Sequence, residues 1–151
     1  MRLATLGDVD TLIELMAEFY GESGYPLNRR HAAEAFRSLL SDDQLGHVWL
    51  IQAGAATVGY VVLTLGYSME YGGRDAFVDD LFIQAPYRNA GLGSAALAQV
   101  RTFAESLGVR ALHLEVGRDN EPAQVVYRRI GFVDNERQLL TLRLATPTHV
   151  A

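Results

Sequence analysis

Cysteine is absent from this chain of 151 residues. That excludes disulfides, thiolate metal sites and a cysteine nucleophile. Lysine is absent as well: the 13 side chains of the Lys and Arg class are all arginine, so the chain carries no side-chain amine of its own. No apolar run approaches the roughly 18 residues of a membrane span. The start of the chain places Asp8, Asp10 and Glu14 where a secretory signal would be apolar. A cytoplasmic protein without membrane association is the expectation. Positive charge is in deficit too, with a net charge of −5, which argues against a nucleic-acid partner and for a cationic one. The four histidines, His31, His47, His113 and His149, have no metal-ligand spacing, and His113, set in an apolar run, reads as structural.

What remains is an ordinary globular composition, 49% hydrophobic, with no linker, repeat or low-complexity tract. It fits one α/β domain over residues 1–151. Leu12, Leu15, Met16 and Phe19 form an apolar stripe that predicts a helix over 8–19, opened by Asp8. Residues 21–27 read as a loop and 29–40 as a second helix. Runs 47–52 and 57–65 read as strands joined at Ala53-Gly54, and 138–144 reads as a last strand.

The segment Arg88-Asn89-Ala90-Gly91-Leu92-Gly93-Ser94 is the most informative stretch. It follows the strand-like run Ala76-Phe77-Val78-Asp79-Asp80-Leu81-Phe82-Ile83, closed by Pro86, and precedes a helical pattern over 94–107 with Gly108 after it. Two glycines permit a tight turn and close approach of a ligand, and a helix N-terminus offers free N–H groups to an anion, to which Arg88 adds a charge. A plain tight turn gives the same pattern. A nucleotide P-loop is excluded, because Ser94-Ala95 follows Gly93 in place of Lys and Ser/Thr. A dinucleotide fingerprint stays open, with Ala96 at the third glycine position and Glu115 about 20 residues on.

Farther along, the strand-like Ala111-Leu112-His113-Leu114-Glu115-Val116 is followed by Asn120, Ala123, Tyr127 and the pair Gly131-Phe132. Together with Arg88-x-x-Gly91-x-Gly93, and with Arg2-Leu3-Ala4-Thr5 through Phe19-Tyr20 at the start, this order resembles the GNAT superfamily of N-acetyltransferases over nearly the whole chain. The resemblance implies a single-domain fold with a mixed, largely antiparallel sheet flanked by helices, and direct transfer of an acetyl group from acetyl-CoA to an amine.

It also implies roles for residues. Arg88 to Ser94 would cradle the coenzyme pyrophosphate, the backbone of Leu81, Phe82 and Ile83 would hold the pantetheine arm, and Asn120 would be a further coenzyme contact. Tyr127 would protonate the leaving thiolate. Glu70, Asp79 and Asp80 are the candidates for removing the acceptor's proton, since an alkylammonium of pKa about 10.4 must lose one before it can attack. The acidic pair is similar to that of family members acting on polyamines, whereas Phe77 stands near the position of the histone-modifying branch's glutamate. Phe19, Tyr20 and Tyr25, with 66–74, would bound a pocket for a small amine. Plainer roles are open for each: Tyr127 in core packing, Asn120 as a helix cap, the carboxylates as solvated strand residues. A peptide N-terminus as acceptor, a non-catalytic acyl-CoA-binding module and a homodimer all stay compatible with the sequence.

Overall fold

The structure is a computed structural model that describes residues 1–145, so that His149 lies outside the described residues. In chain order the elements are β1 (Arg2–Leu3), α1 (Val9–Ser23), α2 (Arg29–Leu40), β2 (Gly46–Ala53), β3 (Ala56–Ser68), β4 (Gly73–Ile83), α3 (Leu92–Ser106), β5 (Ala111–Leu114) and α4 (Glu121–Ile130). The sheet runs β1-β2-β3-β4-β5, antiparallel through β4 and parallel between β4 and β5. This is the mixed, largely antiparallel sheet that the sequence led us to expect.

Alternation along the strands builds a core on each face. Val48, Leu50, Tyr60, Val62 and Phe82 meet Leu12, Leu15, Ala33 and Phe36 of α1 and α2. Trp49, Val61, Leu63, Ala76 and Val78 meet Leu97, Val100 and Ala104 of α3, and Tyr127 and Ile130 of α4 pack against the same cluster.

Local chemistry sets the helix ends. The Asn28 side chain accepts from the His31 N–H at 3.0 Å and opens α2. Asp8 does not cap α1 as its position suggested: its carboxylate accepts from the backbone N–H of Thr5 and takes both arms of Arg2, bracing the turn before the helix.

One expected strand is missing. Residues 138–144 form no regular element and have no ladder partner among the described residues, and their leucines lie in solvent. Period-two alternation encodes a strand's faces, but a strand also needs a neighbour for its backbone groups.

Candidate active site

The site begins with a fault in β4. Its register with β3 shifts so that Leu63 faces Val78 and Val62 faces Asp80, leaving Asp79 unmatched as a bulge. Val78 and Asp80 would share a face of a regular strand; here Val78 belongs to the α3 side while Asp80 turns to the α1 side. There its carboxylate accepts a hydrogen bond from the hydroxyl of Tyr60, which is wholly buried, at 2.9 Å. Burial pushes the Asp80 carboxyl up, the Tyr60 bond pulls it down, Asp79 pushes it up again, and the balance lies at about 6.

Aromatic rings of α1, and Tyr25 just after it, lie on the same side of the sheet as this carboxylate. Phe19 stacks on Phe82 at 5.4 Å, Tyr20 packs edge-on to Phe19 at 5.7 Å, and Tyr25 to Tyr20 at 6.2 Å. Burial raises the Tyr20 hydroxyl's pKa, and the charges of Asp80 and Asp79 raise it further, so the phenol and both carboxylates share one electrostatic environment. The structure thus brings together Phe19, Tyr20, Asp79 and Asp80, with Tyr25 exposed on the far side of Tyr20. Glu70 does not join them. It sits on the turn before β4, ion-paired to Arg137 at 2.6 Å, and the strand from Gly73 to Asp80 alone spans about 23 Å.

Beyond the bulge β4 loses its outer neighbour. The pairing with β5 ends at Val78 and Leu114, while β4 runs on through Leu81, Phe82 and Ile83, so among the described residues the edge facing away from β3 is open there. The turn that follows carries Asn89 at φ 63° and Gly91 at φ 80°, and the first helical bond of α3 runs from the Ala95 N–H to the Gly91 carbonyl at 3.0 Å. The N–H groups of Leu92, Gly93 and Ser94 precede that bond, and point out of the helix end beside the open strand edge.

Arg88 turns away from this cradle. Its guanidinium donates to the Ile83 carbonyl at 2.7 Å and to Glu22 at 2.6 Å, and lies over the Phe82 ring. Gln84 donates to Glu18 at 2.9 Å, so two side-chain contacts clip α1 to the end of β4. Tyr127 packs in the cluster that holds Leu81 and Leu114, where the two strands part, and burial raises its hydroxyl's pKa. Asn120 caps α4, accepting from the Ala123 N–H at 3.3 Å.

A model of the acetyltransferase (GNAT) family matches residues 9–132. The chain belongs to that family. A crystal structure of an integron cassette protein from the mobile metagenome of Cole Harbour Salt Marsh is 48% identical, with a TM-score of 0.87 over 97% of this chain and 91% of that one. An uncharacterised N-acetyltransferase of Methanocaldococcus jannaschii is 26% identical over 139 residues, covering 90% of this chain and 61% of the relative. The thialysine N-epsilon-acetyltransferase of Bos taurus is 31% identical over 81 residues, 54% of this chain and 47% of the relative. The chain therefore spans roughly half to six tenths of these two curated relatives.

For this GNAT member the sequence reading missed two things. One is Tyr60, the donor to Asp80: it lies in an apolar run and looks like any strand tyrosine, although a phenol buried in such a run must find a polar partner. The other is the bulge, which no residue between Phe77 and Leu81 announces. No cluster of three potential metal ligands occurs among the described residues. His113 contacts Asp75 at 3.1 Å and packs between Tyr71 and Phe77, on the paired half of β4 and β5.

Proposed function

We propose that residues 1–151 form an N-acetyltransferase domain that moves the acetyl group of acetyl-CoA directly to a small amine. The observation that carries this reading is the Asp80 carboxylate, poised near 6 and turned by the bulge toward the aromatic side chains of α1, at the point where β4 parts from β5. Family membership supports the coenzyme, and so does the fit of the residues present. Asn89 and Gly91 hold a left-handed turn, and the helix end presents unpaired N–H groups to a pyrophosphate. The open edge of Leu81, Phe82 and Ile83 suits the amide groups of a pantetheine arm.

Within this reading Asp80 takes the proton from the acceptor's ammonium. The wall of Phe19, Tyr20 and Tyr25 assists, because desolvation lowers an amine's pKa toward the working range. The neutral nitrogen then attacks the thioester carbonyl. The C–S bond breaks, the nitrogen gives its second proton to solvent as the amide forms, and Tyr127, which burial keeps protonated, gives its proton to the departing sulfur and is reprotonated from solvent. Asp79 adds negative charge that favours a cationic acceptor. The acetyltransferase of Bos taurus named for thialysine supports a small amine as the class.

Thiol release from acetyl-CoA, measured against polyamines, amino acids and short peptides, tests the proposal. Turnover with small amines is expected. Turnover with peptides alone would reassign the acceptor, and tight coenzyme binding without any thiol release would make the domain a binding module.

A further inference from the structure

The last turns of α1 carry charge of the wrong sign for their place. The C-terminal end of a helix is the negative end of its dipole, yet α1 has no basic residue in its last turn and sets Glu18 and Glu22 there, at i and i+4 on one face. Two like charges at that spacing repel each other as well as the dipole. The compensation must come from outside the helix.

It comes from the end of β4. Gln84 donates to Glu18 at 2.9 Å and Arg88 to Glu22 at 2.6 Å, each contact joining residues 66 apart in the chain. Arg88 does more than pair a charge. The Gln84 N–H turns to the Val58 carbonyl on β3, so by strand alternation the Ile83 carbonyl faces the outer edge, and Arg88 Nε donates to it there at 2.7 Å. The guanidinium carbon lies 5.6 Å from the centre of the Phe82 ring, and Phe82 is the ring on which Phe19 stacks. One planar side chain thus joins the end of β4, the Phe82–Phe19 stack and the last turn of α1. Glu22 follows Phe19 by three residues and Tyr20 by two, so a fixed Glu22 fixes the turn that carries both rings.

The two partners are 40% and 46% exposed, and an ion pair so placed contributes little to stability. What it supplies is placement. Resting on the transferase reading for what these rings are used for, we propose that Arg88 is a positioning residue: through Glu22 and Phe82 it sets Phe19 and Tyr20 against β4 on the acceptor's side, and its charge is neutralised by Glu22 instead of meeting the coenzyme pyrophosphate. The pyrophosphate is left to the backbone N–H groups of Leu92 to Ser94.

Arg88→Ala, Glu22→Ala and the double variant, compared with the native chain, test this. Amide hydrogen exchange without any ligand reads the latch itself: residues 21–25 should exchange at least tenfold faster in each single variant and no faster still in the double variant. Alanine is a good helix former and removes the ill-placed charge, so faster exchange in Glu22→Ala is the reverse of what the helix alone would give. With acetyl-CoA and a small amine, the acceptor KM should rise at least fivefold in each variant, without adding in the double one, while kcat changes less than threefold and the coenzyme Kd, by calorimetry, less than twofold. If Arg88→Ala fails to fold, Glu22→Ala carries the exchange and KM arms and Arg88→Gln the coenzyme arm. Native-like exchange in both single variants overturns the proposal. So does a coenzyme Kd at least tenfold weaker when Arg88 is replaced and unchanged when Glu22 is, which would make Arg88 a pyrophosphate ligand, and so does an additive rise in acceptor KM, which would make the two residues independent. A native chain that binds acetyl-CoA and turns over no amine would overturn the transferase reading alone, and the exchange and affinity arms would still decide the latch.

Discussion

Tyr60 governs what Asp80 can do. Its bond to the carboxylate is the one pull downward against burial and the charge of Asp79, so Tyr60→Phe should move the Asp80 pKa above its value near 6. A base works only when ionised, and the acidic limb of kcat/KM should therefore shift to higher pH, with little change on the alkaline side. In the proposed reaction Tyr127 acts at the other end. Tyr127→Phe removes a proton donor that is needed only as the sulfur leaves, so kcat should fall at least tenfold while the coenzyme Kd changes less than twofold, as steady-state kinetics and calorimetry would read. Tyr127 was legible as a candidate through its place ahead of Gly131-Phe132. Tyr60 was hidden, because its function depends on a strand pairing twenty residues away.

Elements were legible where one local pattern controlled them. The stripes of α1 and α3, the runs of β2 and β3 and the glycine turn before α3 stand close to where periodicity puts them. Two features depend on partners and escaped: the bulge, fixed by register with β3, and the unpaired state of 138–144, fixed by what neighbours it. The cradle is testable as an element. A Cβ on Gly93 would meet only Ile83 Cδ1, at 3.6 Å, an ordinary contact, and the residue has no positive φ. Gly93→Ala should therefore bind acetyl-CoA nearly as the native protein does. Gly93→Asp puts a carboxylate before the same N–H groups and should weaken binding at least tenfold, about 1.4 kcal/mol, by calorimetry. Equal affinity of the two variants would show that the pyrophosphate lies elsewhere.

At the scale of the whole molecule, function costs stability. The Asp80 carboxyl lies near 6 folded and near 3.9 in an unfolded chain, so between those values the folded state holds more protons. Stability contributed by the protonated acid is present below about pH 4 and lost as pH rises through 6, a cost on the order of 3 kcal/mol at neutral pH. Asp8, held well below the usual range by Arg2, has the opposite sense: its contribution is present above about pH 4 and lost on acidification. Asp80→Asn should accordingly raise Tm by several degrees at pH 7.5 and leave it nearly unchanged at pH 4, by calorimetric scans. In the proposed reaction the same residue joins stability to catalysis, and the pH dependence of kcat/KM for acetyl transfer to a small amine examines that joint most directly. The native enzyme should lose activity below a limb near pH 6, Tyr60→Phe should carry that limb upward, and Asp80→Asn should lack it while losing at least a hundredfold in rate. A limb that stays in place in both variants, with turnover intact, would contradict the account.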